Sequence, residues 1–125
     1  MIQARNIDLS TFPAAKYTID NFAIPTTATT KLSHSVTVAG KYLVLCSMTS
    51  QTYDGQNTLY MRIKLNSTNS EWRYNTIHAN YYGLLEAIDL LEANVGDTIA
   101  CSVNSVATIS ASPNTQLTMV VVRVA

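Results

Sequence analysis

Val36-Thr-Val-Ala-Gly-Lys-Tyr-Leu-Val-Leu-Cys-Ser-Met48 is the stretch whose reading decides the fold. It divides into two β segments that meet at Ala39-Gly40. Side chains alternate across a strand, so Tyr42, Val44, Cys46 and Met48 fall on one side and Leu43, Leu45 and Ser47 on the other. Both sides are apolar over the first half, which predicts a strand covered on both faces. Gly40 suits a sharp corner, because glycine accepts a positive φ that strains any residue with a Cβ. The same grammar returns in Val95-Gly-Asp-Thr-Ile-Ala-Cys-Ser-Val103, a Gly-Asp turn feeding a strand with Ile99, Cys101 and Val103 on one face. Neither stretch offers a catalytic group.

Working outward, the alternation of Lys16–Ile24 predicts a first strand that stops at Pro25, since proline lacks a ladder donor and belongs at strand ends. Thr26–Thr30 reads as a connection and Ser33–Val38 as a short strand into the Gly40 corner. Residues 1–16 read as an arm or linker, and 17–125 as a single domain. Asp54-Gly55 centres a polar turn. Thr58–Leu65 alternates cleanly, with Leu59, Met61, Ile63 and Leu65 against Tyr60, Arg62 and Lys64, as a half-buried antiparallel strand should. In 81–94, Leu84, Ile88, Leu91 and Val95 have helix spacing. The β-like flanks and the Gly96-Asp97 turn favour a strand there, because a lone helix fits an all-β frame poorly. The closing run, Gln116–Val124, is too continuously apolar for an exposed edge and is expected inside a sheet. A chain that closes on such a strand is expected to be a complete domain at Ala125.

Composition agrees. The chain has 125 residues, a formal net charge of zero and 13% charged residues. That length suits one domain, which buries roughly two-thirds of its unfolded surface without staples. There is no basic footprint for nucleic acid. No apolar run approaches the length of a membrane span and no leader is recognisable at Met1, so neither membrane insertion nor cleavage on export is expected. Thr, Ser and Asn supply 37 residues, types that favour strands and turns over helices. With so little charge, little repulsion opposes self-association. Cys46 and Cys101 each lie on an apolar strand face, where free cysteine behaves as a small hydrophobe; buried free thiols are expected, with a cross-strand disulfide as the alternative.

The order of motifs carries a resemblance. Ala39-Gly-Lys-Tyr-Leu-Val, a strand ending at Asn66-Ser, an apolar strand leading into Val95-Gly-Asp-Thr-Ile, and a closing Leu117-Thr-Met-Val-Val-Val strand resemble the globular head of the first complement component and the tumour necrosis factor superfamily. The resemblance covers roughly residues 17–125. It implies an all-β, two-sheet antiparallel jelly-roll sandwich of ten strands that assembles as a homotrimer. Lys41, where small or aromatic residues are common, and a first strand with few aromatics depart from the pattern. Domains of this type also occur in bacteriophage fibres, tail appendages and capsid decorations. The charge-poor, Thr/Ser/Asn-rich composition looks more like that setting than like a secreted animal ligand. The expectation is therefore a non-enzymatic virion protein for host-surface attachment or particle decoration, contacting other virion proteins and a host glycan or protein. The alternative is a soluble, extracellular ligand of the complement or tumour necrosis factor type that binds a protein receptor.

The chemistry-bearing residues fit a binding role better than catalysis. His34 and His78 are isolated, with no ligand-spaced partners for zinc and no nucleophile to serve. Asp54 and Asp97 are too few oxygens for a calcium site. Glu86, Asp89 and Glu92 would split between the faces of a strand, as solvated charges. Asn66-Ser-Thr68 fits a glycosylation acceptor and equally a turn. No catalytic residue, metal or cofactor is expected. Tyr53, Asp54, Trp72, Arg73 and Tyr74 form the candidate ligand-binding set: displayed on loops, a planar ring offers an apolar face to a sugar while Asp and Arg bond its hydroxyls. Against this, Trp72 and Tyr74 suit better a cap on the core or a place in the threefold interface, where aromatics are also enriched. Tyr81 and Tyr82 are the candidates for the trimer interface.

Overall fold

The structure, a computed structural model, describes residues 13–51, 55–69, 72–77 and 82–125. Nine strands run through the described residues: β1 (Ala14–Asp20), β2 (Thr29–Ser35), β3 (Gly40–Gln51), β4 (Asn57–Leu65), β5 (Thr68–Asn69), β6 (Arg73–Ile77), β7 (Tyr82–Ala93), β8 (Thr98–Ser105) and β9 (Gln116–Arg123). The first sheet has the order β1-β9-β3-β7, and the second β2-β8-β4-β5 with β6 also on β4. All pairings are antiparallel. The chain is an all-β jelly-roll sandwich, as the sequence predicts.

The core follows from alternation. β3 sends Tyr42, Val44, Cys46 and Met48 inward, β9 sends Leu117, Met119 and Val121, and all are buried. Facing them, β4 contributes Leu59, Met61 and Ile63, and β8 contributes Ile99, Cys101 and Val103. Each of the larger chains stabilises the fold by about 1.5–3 kcal/mol through the water it sheds. Cys46 and Cys101 come from opposite sheets and are both free and buried. A hydrogen bond with Cys46, then burial, pushes the Cys101 thiol far above the ordinary range, so it stays protonated.

Residues 82–93 are a strand, β7. The helix-like spacing arises because apolar residues occupy both of its faces: Leu84 and Ile88 point outward, while Leu91 lies opposite Tyr42 on the inner face. β9 is internal, between β1 and β3, as its continuous apolar run demands.

Four expectations need correction. The first strand ends at Asp20, not Ile24, because Asn21 takes a positive φ of 52° and turns the chain; Phe22 and Ile24 still enter the core, Ile24 bridging to Ile109. The strand expected at Ser33–Val38 begins earlier and ends at Ser35. Gly40 opens β3 without a positive φ. Its glycine is required by close approach, since a Cβ there would clash with the Ala125 carbonyl and the Arg123 side chain. Lastly, β3 is covered on one face only: Leu43 and Leu45 on the other side are half-buried.

The β7–β8 turn shows how local polar groups lock the sheets together. Gly96 takes φ 92° and Asn66 φ 54°. Asp97 accepts from the Asn94 backbone N–H at 2.8 Å and from Asn66 Nδ2 at 3.0 Å, and Asn66 Oδ1 accepts from the Thr98 N–H at 2.9 Å. Those donors, the Asn94 backbone first, hold the Asp97 carboxyl below the usual carboxylate range. Asn66 thus serves as a turn residue, and its amide is already engaged.

Candidate recognition face

β4 is the element that builds the site. Its inward residues fill the core, so the two-residue period sends Thr58, Tyr60, Arg62 and Lys64 to the outer face of the second sheet. β6 pairs with β4 so that Tyr74 lies opposite Tyr60, and Thr76 opposite Thr58. The Thr58 and Thr76 hydroxyls are 3.1 Å apart and share a hydrogen bond. The ring centroids of Tyr60 and Tyr74 are 6.2 Å apart. Trp72, just before β6, meets Tyr60 edge-on at 6.2 Å and carries the Arg62 guanidinium 3.9 Å above its ring centre. Stacking of this kind contributes about 0.5–2 kcal/mol, more as water is excluded.

Three aromatic rings and an arginine therefore form one continuous outer face. Tyr74 is 70% exposed, while Trp72, Tyr60 and Arg62 are half-buried. Asn104 of β8 lies opposite Tyr60, and Ser102 opposite Arg62. The Arg62 Nε and the Asn104 Oδ1 are both buried without a hydrogen-bond partner. The strands of this sheet carry Lys31, Arg62, Lys64 and Arg73, and no Asp or Glu.

Of the residues singled out in the sequence, Trp72 and Tyr74 come together here, whereas Arg73 lies opposite the inward Met61 and so belongs to the other face of β6. Arg73 and Tyr74 are strand residues of β6 rather than loop residues, because the β4 edge offers them a ladder. Tyr53 and Asp54 lie outside the described residues, as do Tyr81 and His78. Tyr60 and Arg62 were missed as site residues. Their signal was the polar side of the β4 alternation, which becomes a site only once Tyr74 is known to pair with Tyr60.

Tyr82 lies on the other sheet, 66% exposed, its hydroxyl donating to Asn114 Oδ1 at 3.3 Å. It heads an apolar outer face on the first sheet. Leu84, Ile88 and Leu90 of β7 are each more than half exposed, and in register beside them stand Leu43 and Leu45 of β3 and Val120 of β9. Glu86 and Glu92 share this face, Glu92 with Lys41 at 3.9 Å, while Asp89 points to the opposite side.

At the β1–β2 edge a recess of about 190 Å³ is bordered by His34, Tyr42, Val121 and Arg123. His34 and the Tyr17 hydroxyl share a 2.6 Å hydrogen bond, and the Tyr42 hydroxyl donates to the Val38 carbonyl. Burial lowers the His34 pKa, so the imidazole is neutral at neutral pH. Among the described residues no cluster of His, Cys, Asp or Glu could hold a metal ion. No helix there is long and apolar enough to cross a membrane.

Two facing sheets in these strand orders define a jelly roll of the kind seen in complement globular heads and tumour necrosis factors. Two solved structures show the likeness. The globular domain of zebrafish complement 1qA superposes with a TM-score of 0.61 at 12% identity, over 91% of this chain and 98% of that one. The Eiger tumour necrosis factor of S. frugiperda gives 0.53 at 13% identity, over 91% and 93%. No protein-family model and no curated protein matches the sequence.

Proposed function

We propose that this chain is a non-enzymatic recognition module that works as a homotrimer. The outer faces of the first sheet pack among the three copies, and the second sheet and the end loops meet the ligand. The observation that carries this reading is the apolar outer face made by Leu43, Leu45, Leu84, Ile88 and Leu90. An apolar sheet face of this kind is an interface in waiting, because water gains by its burial. The resemblance drawn from the motif order supplies the threefold. Three copies would also multiply a weak contact into useful avidity.

For the setting, the virion reading, attachment to a host surface or particle decoration beside other virion proteins, rests on the charge-poor composition. The extracellular reading, a soluble ligand for a protein receptor, draws on the likeness to a complement head and a tumour necrosis factor. Both use the same trimer and leave the same sheet outermost. Sedimentation equilibrium tests the shared part: a single species at three times 13.7 kDa is expected, and a monomer at all concentrations would overturn it.

A further inference from the structure

We infer that the Tyr60–Arg62–Trp72–Tyr74 face binds a carboxylate-bearing pyranose, the acidic sugar of a glycan chain. This deepens the reading of the chain as a recognition module and rests on it. The sugar ring lies against the tyrosine and tryptophan rings, and its carboxylate meets the Arg62 guanidinium.

The first support is charge. The strands of the second sheet hold Lys31, Arg62, Lys64 and Arg73 without one carboxylate. Those of the first hold Lys16, Lys41 and Arg123 against Asp20, Glu86, Asp89 and Glu92. A chain of zero net charge has thus collected cations on one sheet; Arg73 lies opposite the inward Met61 and Lys31 over Phe22, so it is Arg62 and Lys64 that the outer face offers to an anion. Arg62 and Lys64 project from it two residues apart, about 6.6 Å by strand rise.

The second support is the state of Arg62. It lies 3.9 Å over Trp72 and has no carboxylate partner among the described residues. Stacking fixes the plane of the guanidinium, which is the preorganisation that makes arginine a good carboxylate receptor. Its buried Nε and the buried Asn104 Oδ1 both lack partners. Unmatched buried polar atoms are rare in folded proteins and mark places where a water or ligand completes the bonding. The third support is Tyr74, a flat apolar ring 70% exposed beside Tyr60. A pyranose has an apolar C–H face to set on such a ring, and hydroxyls for Thr58, Thr76 and Asn104.

Single-stranded nucleic acid also uses aromatic stacking with cations, but it needs a charged groove that follows several phosphates. Two outward cations on a neutral chain favour the single carboxylate.

The test is saturation-transfer NMR with 3′-sialyllactose, with lactose as its uncharged twin and a short oligothymidylate as counter-probe. Sialyllactose is expected to bind at least about tenfold more tightly than lactose, the worth of one charge-assisted hydrogen-bonded pair. Arg62→Lys should remove that preference, since an ammonium lacks the planar fork. Tyr74→Ala, a change at an exposed position that leaves the core intact, should weaken both sugars; it keeps the test decisive if Arg62→Lys does not fold. Equal binding of the two sugars, binding of neither, tighter binding of oligothymidylate at the same ionic strength, or an unchanged Arg62→Lys would each overturn the inference. The probes are monovalent, so assembly is scored separately on the same sample. A monomer that prefers sialyllactose would sink the trimer and keep this inference, and a trimer that binds neither sugar would do the reverse.

Discussion

The outer faces of the two sheets are built by the same alternation and differ in everything else. On the first sheet the outward positions are Leu43, Leu45, Leu84, Ile88, Leu90 and Val120. On the second they are Thr58, Tyr60, Arg62, Lys64, Ser102 and Asn104. A sandwich needs only its inner faces to fold. What is placed on the outer faces is therefore free to specify contacts. In the proposed trimer the apolar face would meet copies of the same chain, and the polar, cationic face would meet something carrying negative charge.

The largest expected effect breaks the first face. Ile88→Glu with Leu90→Glu would bury two like charges in any assembled interface, a penalty of several kcal/mol per unpaired charge. Light scattering should show the mass fall to one chain while circular dichroism stays β-rich, because both residues are 60% and 61% exposed in the single chain. Tyr82→Glu, at the end of the same face, should weaken assembly less; an unchanged assembly size would remove that residue from the interface. The inner faces give the contrast: Leu59→Ala, at a fully buried position, should cost about 2–5 kcal/mol of folding stability, read by urea unfolding of the dissociated double variant as background.

Smaller effects sharpen the picture at the edges. The Asp97 carboxyl titrates lower in the folded chain than its ordinary value of 3.8. Its contribution is then present above pH 3.8 and lost as pH falls through the folded value. Asp97→Ala should lower the urea midpoint at pH 6 and flatten the acid limb of the stability profile. His34, lowered by burial from 6.5, has the same sign: the unfolded chain takes up the proton first, so stability drops as pH falls below 6.5. His34→Gln should make the midpoint less sensitive to pH between 7.5 and 5.5. The Lys41–Glu92 pair, 3.9 Å apart with side chains 54% and 81% exposed, is worth little; Glu92→Gln should change stability by no more than about 0.5 kcal/mol.

The fold was legible in the sequence where one residue pair or turn forces a conclusion. Gly96-Asp97 fixes the β7–β8 corner, and the continuous Leu117–Val122 run places β9 inside a sheet. The β7 strand was legible from its flanks despite Leu84, Ile88, Leu91 and Val95, since apolar residues on both faces imitate a helix period. In β3 the same two-sided pattern marks one core face and one face left open in the single chain, the face that the proposed trimer would cover. The site was only half legible. Trp72 and Tyr74 stand out by composition. Their junction with Tyr60 and Arg62 depends on cross-strand register, which no local pattern encodes.

Hydroxyl-radical footprinting of the native protein, read by mass spectrometry, tests the division of labour most directly. It reports the solvent access of Leu, Ile, Tyr and Trp side chains on both outer faces in one sample. Leu84, Ile88 and Leu90 should be protected well beyond their exposure in a single chain, while Tyr74 oxidises freely. Oxidation of Ile88 and Leu90 at the rate their single-chain exposure sets would contradict the assignment of the first sheet to assembly.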